Sequence, residues 1–124
     1  MKFCICTHCG NLVEVVEDHR VPLVCCGEKM KELTPNTTEA ATEKHLPVVH
    51  CNGRDVTVTV GEVNHPMLAE HSIVFVVLET KDGVQRKALT PGQEPVACFS
   101  LADGDVAVAA YAYCNLHGLW KTVI

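Results

Sequence analysis

Val56-Thr57-Val58-Thr59-Val60 alternates apolar and polar residues with a period of two. That period sends the valines to one face and the threonines to the other, which marks a strand with one buried side. The pattern continues outward from it. Residues 73–79 form a continuous apolar run rich in β-branched side chains. Lys81-Asp82-Gly83 carries an Asp-Gly hairpin signal, and residues 84–89 return from it. Residues 96–101, 106–113 and 119–123 complete the set. Short segments separated by Gly and Pro turns predict an all-β protein built on an antiparallel sandwich. The chain shows no internal repeat, low-complexity tract or heptad.

Residues 1–35 read differently. They hold Cys6-Thr7-His8-Cys9 and the adjacent pair Cys25-Cys26, with β-prone runs at 12–16 and 21–24 that suggest a small hairpin. A unit this short buries too little surface to fold alone, and a bound metal would supply the missing stability. Thr34-Pro35-Asn36-Thr37-Thr38 is turn-rich and polar and reads as a linker. Residues 39–44 could form one helical turn, with Thr38 as its N-cap. The expected organisation is a four-cysteine metal module over residues 1–35 and a β-sandwich over 36–124.

Composition narrows the function. Of 124 residues, 48% are hydrophobic and only 5% aromatic, so the core must be aliphatic. A formal charge of −5 argues against nucleic-acid or anionic-membrane partners, which want a basic patch. No apolar run approaches the ~18 residues of a membrane span. The first residues enter a cysteine motif at once, without the apolar stretch of a signal peptide, so a cytoplasmic location is expected. In a reducing compartment eight cysteines are ligands more readily than disulfides. A disulfide framework would also leave seven histidines unexplained.

Cys6-x2-Cys9 is half of a tetrahedral thiolate site, and Cys25-Cys26 would be the other half. Four cysteines satisfy zinc or a single iron equally. Glycine follows each pair, at Gly10 and Gly27, where it lets the backbone turn and aim N–H groups at sulfur. Adjacent cysteines leave little slack, so a distorted tetrahedron is expected. His8 reads as a solvated residue and Cys4 as a spare thiol. Cys51 and Cys98, in or beside β-prone runs, read as buried thiols.

The second group is His45, His65, His71 and Cys114-Asn115-Leu116-His117. The four histidines fall at segment ends or turns, where a rigid sandwich concentrates functional side chains. Four imidazoles and one thiolate exceed what structural zinc accepts. Around a six-coordinate metal they leave one position open, and ferrous iron tolerates both ligand types. Blue copper would want two histidines, a cysteine and a methionine shortly after; no methionine follows His117.

The runs CTHCGN (6–11) and LVCCGEKM (23–30) resemble a desulforedoxin-type module. EKHLPV (43–48), NHPM (64–67) with a histidine six residues after the first, and YCNLHGLWK (113–121) resemble the catalytic domain of the desulfoferrodoxin family, two-iron superoxide reductases. The resemblance covers nearly the whole chain in order and spacing. It implies iron on Cys6, Cys9, Cys25 and Cys26. It also implies an immunoglobulin-like sandwich holding a second iron between His45, His65, His71 and His117, with Cys114 as axial ligand. Glu43 and Lys44 would then be catalytic residues beside the open position. Lys44 would steer the anionic substrate, and Glu43 would occupy the open position in the resting state. The implied activity is one-electron reduction of superoxide to hydrogen peroxide by a homodimer that takes electrons from a rubredoxin-like donor. Glu70-His71-Ser72 departs from the family's common lysine and aromatic around the third histidine. An electron carrier without turnover and a zinc-bound interaction module are the competing readings.

Overall fold

The computed structural model describes residues 1–124. It divides into two compact units, Met1–Thr34 and Pro35–Ile124. No helix is long and apolar enough to cross a membrane.

In the first unit, β1 (Phe3–Ile5) is the centre of a three-stranded sheet between β2 (Leu12–Glu14) and β5 (Lys31–Glu32). A separate two-stranded ribbon joins β3 (Val24–Cys25) to β4 (Glu28–Lys29). The two β-prone runs therefore do not pair with each other. Phe3 and Cys4 are buried and give β1 something to hide, so β1 captures β2 with Cys4 opposite Val13. Val16 and Val21 stay exposed beside a charged turn, where Asp18 Oδ1 accepts from the Arg20 N–H at 2.8 Å. The β3–β4 ribbon turns on Cys26 and Gly27, both with positive φ, 53° and 75°. Two left-handed residues in a two-residue loop match the twist of the flanking strands. In a continuous strand Cys25 and Cys26 would point to opposite faces. The left-handed turn at Cys26 breaks that alternation, at a conformational cost of about 1–3 kcal/mol for a non-glycine residue.

The second unit is a sandwich of a three-stranded and a four-stranded antiparallel sheet. The smaller runs β10–β7–β6, from Val96–Ser100, Asp55–Val60 and Pro47–Asn52. The larger runs β12–β11–β8–β9, from Gly118–Val123, Ala107–Cys114, Ile73–Thr80 and Val84–Ala88. Val56, Val58 and Val60 face inward, as their period demands, and meet Ile73, Val76, Leu78, Phe99, Ala110 and Ala112 in one core. The sandwich is immunoglobulin-like, but its fourth strand, β9, pairs with β8 in the larger sheet and not with β10, so it is not the constant-type split.

Two local expectations change. The helical turn is α1, Thr42–His45, with Ala41 as its N-cap and no side-chain cap, rather than a turn capped by Thr38. Docking sets it: the Gly61 N–H donates to the Leu46 carbonyl at 3.0 Å, and the Val63 N–H to the Glu43 carbonyl at 3.1 Å. Cys51 and Cys98 are exposed, not buried. Cys98 lies opposite Thr57, an outward position, while Ala97 and Phe99 beside it fill the core. The pairing of β11 with β8 also slips by a residue at its end, from Tyr113 opposite Phe75 to Cys114 opposite Ile73. The bulge leaves Val74 half exposed and turns Ile73 and Cys114 into the core together.

Candidate metal centres

The four cysteine sulfurs of the first unit lie within 4.8 Å of one another. Cys9 Sγ and Cys25 Sγ are 3.7 Å apart. A tetrahedron with ~2.3 Å metal–sulfur bonds has edges of about 3.8 Å, so the cage has the right size for one ion. Cys4 is outside the group. The cage is built from two turns. The Gly10 N–H closes the first on the Cys6 carbonyl at 3.0 Å, and the Cys26-Gly27 turn forms the second. Asn11 links them: its backbone N–H donates to Cys9 Sγ at 3.4 Å and its side-chain amide to Cys25 Sγ at 3.8 Å. His8 points away from the cage and pairs with Glu28 at 3.0 Å.

These thiols do not share charge evenly. Hydrogen bonds from the Cys9 and His8 backbone lower the Cys6 thiol to about 6. Crowding by Cys9, Cys6 and Cys25 pushes Cys26 up to about 12. One thiolate forms readily while Cys25 and Cys26 are raised and hold their protons, a conflict that a cation in the cage removes.

In the second unit four imidazoles form a square. Neighbouring ring centroids are 4.6 Å apart for His45–His65, 4.6 Å for His65–His71, 5.1 Å for His71–His117 and 4.9 Å for His117–His45. The His45–His71 diagonal is 6.3 Å. Neighbouring planes are near perpendicular, from 74° to 88°. His45 comes from α1, His65 from the loop after β7, His71 from the segment entering β8, and His117 from the β11–β12 turn. Cys114, at the end of β11, is fully buried, with its Sγ 3.9 Å from His117 Nδ1.

The nitrogen chemistry shows what the square can hold. His45 Nδ1 lies 2.7 Å from the Ala41 carbonyl, and His65 Nδ1 lies 2.7 Å from the Pro66 carbonyl. A carbonyl only accepts, so each Nδ1 carries the proton and each Nε2 is a bare lone pair. Those two Nε2 atoms are 3.1 Å apart, and His117 Nδ1 is 3.1 Å from His45 Nε2. The His45 and His65 lone pairs face each other at this distance and repel. His71 Nε2 is also buried with no hydrogen-bond partner. A cation at the centre resolves all of these, and carbonyl-anchored imidazoles are a common way to orient metal ligands. Burial lowers His65 to about 4 and lowers His45 and His71 as well, which keeps them neutral at pH 7. Burial raises the Cys114 thiol, against hydrogen bonds from the Leu116 and His117 backbone. A cation would reverse that shift and hold a thiolate under the square.

Glu43 and Lys44 are both exposed on α1. Burial is the main cause that lowers His45 and His71, and the Lys44 charge adds a smaller push in the same direction. The Glu43 side chain lines a groove with Leu46, Pro47, Glu62 and Thr122, outside the ring of nitrogens. Ser72 is buried, and its N–H donates to Asn115 Oδ1 at 3.0 Å.

Three contributors went unread in the sequence. Trp120 stacks on His45 at 4.9 Å and donates from Nε1 to the His117 carbonyl at 3.1 Å. Asn115 bonds the segment around His71. Gly61, at φ +87°, lies so close to Lys44 that a β-carbon would sit 2.7 Å from its carbonyl oxygen. Of these only Asn115 carried a signal, as an amide between two ligands.

Both units resemble known proteins. A family profile described as Desulfoferrodoxin matches residues 37–123, and one described as Desulfoferrodoxin, N-terminal domain, matches residues 3–33. A desulfoferrodoxin of Nitratidesulfovibrio vulgaris is 48% identical over 118 residues, covering 94% of this chain and 90% of that protein. A desulfoferrodoxin homolog of Archaeoglobus fulgidus is 46% identical over 117 residues, covering 94% and 92%. The solved superoxide reductase of Treponema pallidum superposes with a TM-score of 0.82 at 36% identity, covering 97% of this chain and 98% of its own. With both units matched by the family's profiles, the chain belongs to the desulfoferrodoxin family.

Proposed function

We infer that this chain is a superoxide reductase, converting superoxide to hydrogen peroxide with one external electron and two protons. The observation that carries the reading is the square of His45, His65, His71 and His117 over the buried Cys114, with lone pairs converging on a common centre. Iron bound there would supply the single electron, and the open side of the square would admit a small anion. The solved superoxide reductase of Treponema pallidum and a superoxide reductase of Pyrococcus abyssi, 35% identical over 99 residues, support the activity.

The chain's own residues account for the rest. His45 and His65 are held by main-chain carbonyls, so the site needs little reorganisation. Burial raises the Cys114 thiol against hydrogen bonds from backbone N–H groups; a bound cation would hold it as a thiolate, whose charge would favour protonation and loss of the product as hydrogen peroxide. Lys44 supplies a local positive field in a chain of net charge −5, and a field at the mouth governs the encounter with an anion. Glu43 is assigned the carboxylate that closes the open position in the resting protein, a role that requires it to leave the groove it lines here.

Cys6, Cys9, Cys25 and Cys26 are assigned a second iron that relays electrons, and zinc fits the same cage. A rubredoxin-like protein is the proposed donor. Eight free cysteines suit a reducing, cytoplasmic setting. Exposed Val16, Val21 and Val24 suit a homodimer, because a second copy would cover them.

The test is anaerobic. Iron-loaded, pre-reduced protein is mixed with a pulse of superoxide. Superoxide should vanish with hydrogen peroxide formed mole for mole and no dioxygen evolved. Dioxygen release would indicate dismutation, and no consumption would leave an electron carrier.

A further inference from the structure

His71 differs from the other histidines of the square. His45 and His65 are each fixed through Nδ1 by a carbonyl at 2.7 Å. The carbonyl of His117 is held by the Trp120 indole at 3.1 Å. The His71 ring has no comparable anchor, and its Nε2 has no hydrogen-bond partner. Its position must come from the main chain around it. There the Asn115 side chain spends both ends of its amide. Oδ1 accepts from the Ser72 N–H at 3.0 Å, and Nδ2 donates to the Glu70 carbonyl at 3.0 Å. The Asn115 backbone N–H also donates to the Ser72 carbonyl at 3.2 Å. These three bonds grip the chain on both sides of His71. A reciprocal pair of bonds between Leu68 and His71, at 2.9 and 3.2 Å, closes the same segment into a tight loop. The bulge that sets Cys114 opposite Ile73 is what brings Asn115 level with Ser72.

We propose that Asn115 is the positioning residue for His71: it fastens the loop bearing one imidazole to the turn bearing Cys114 and His117, and so sets the fourth corner of the square. This rests on the reading of the square as a metal site. Asn115 touches neither the centre nor a substrate; it acts through His71.

The experiment is a metal titration of the full-length protein with Co2+, followed by its visible spectrum, on four chains: the wild type, Asn115→Ala, His71→Ala and the double variant. Preloading the four-cysteine cage with zinc isolates the second site. Asn115→Ala should weaken Co2+ binding at least tenfold and shift the ligand-field bands, while the zinc-loaded cage and the far-UV spectrum stay unchanged. Asn115→Asp keeps the Ser72 contact and loses the donor to Glu70, so it should recover part of the affinity. The double variant should bind no more weakly than His71→Ala, because coupled residues are not additive. Wild-type affinity in Asn115→Ala, or a full additive loss in the double variant, would overturn the proposal. Failure of the wild type itself to bind Co2+ at this site would instead overturn the metal reading. An Asn115→Ala chain that fails to fold by far-UV spectrum would show a general structural role and overturn the assignment to His71.

Discussion

The indole of Trp120 lies flat against the imidazole of His45, with ring centroids 4.9 Å apart and planes 26° from parallel. The same indole donates its N–H to the His117 carbonyl at 3.1 Å. One buried side chain thus braces two neighbouring corners of the square. Trp120→Phe should keep the stack and lose only the bond, and a net hydrogen bond contributes about 1 kcal/mol. Trp120→Ala also opens a cavity, and such truncations cost about 3–5 kcal/mol. Thermal unfolding should rank wild type, Phe and Ala in that order. The visible spectrum of the loaded centre should shift in both variants, because the His117 main chain is released in both.

Gly61 is the hinge on which α1 rests. At φ +87° a side chain is strained, and a β-carbon would collide with the Val63 carbonyl oxygen and meet the Lys44 carbonyl oxygen at 2.7 Å. Those are backbone atoms and cannot rotate away. Gly61→Ala must push α1 off the 61–65 loop, and overpacking of this kind costs roughly 1–3 kcal/mol. His45 and His65 sit on the two parts being separated, so metal affinity of the square should fall along with stability. Calorimetry and metal titration measure the two effects. Unchanged affinity would show that the histidines tolerate the shift.

Much of this was legible in the chain because period and ligand chemistry are local signals. Val56, Val58 and Val60 face the core as their alternation requires. The histidines could be picked out because they stand at segment ends, where loops carry function. The pairing inside the first unit was not legible. β1 has only three residues, and its claim on β2 comes from burial of Phe3 and Cys4, which no periodicity announces. Cys98 was legible and misread: Ala97 and Phe99 on either side take the inward positions, so alternation alone sends it outward. The bracing by Trp120, Asn115 and Gly61 depends on contacts between distant segments, which sequence spacing does not encode.

Acid should loosen the metal-free sandwich. His65 falls to about 4 in the folded protein from an ordinary 6.5, through burial. The unfolded chain therefore binds more protons than the folded one between these values, so stability rises with pH there. The contribution is full above pH 6.5 and is lost as pH falls towards 4. A shift of this size is worth roughly 3 kcal/mol for a buried imidazole. His45 and His71, lowered in the same direction, add to it. Denaturant midpoints from pH 7.5 to 4.5 should fall steeply in the wild type and less in His65→Gln.

Asn11 should tune the first centre. Its side-chain amide donates to Cys25 Sγ at 3.8 Å, and no other side-chain N–H does so for a sulfur of the cage. Hydrogen bonds to thiolate stabilise the reduced, more negative centre. Asn11→Ala should therefore lower the reduction potential of iron in that cage and leave the second centre where it was. Redox titration followed by absorbance reads the two separately. An equal shift in both would indicate a global change instead.

Lys44 tests the steering argument. It is exposed on α1, and its charge is felt at His45 and His71. Exposed charges are screened over about 8 Å at physiological ionic strength, so the rate of the wild-type encounter with superoxide should fall as salt rises. Lys44→Ala should slow that encounter and flatten its salt dependence. Later steps should change less, since they do not need the anion to be drawn in. Glu43→Ala is the matched control on the same turn. Its carboxylate lines the groove beside Glu62 and Thr122, so its loss should leave the encounter rate near that of the wild type. The spectrum of the resting oxidised state should change instead if Glu43 closes the open position. Pulse-generated superoxide with time-resolved absorbance measures both variants. An unaltered rate and salt slope in Lys44→Ala would reduce this lysine to a solvated surface charge and move the source of attraction to the square itself.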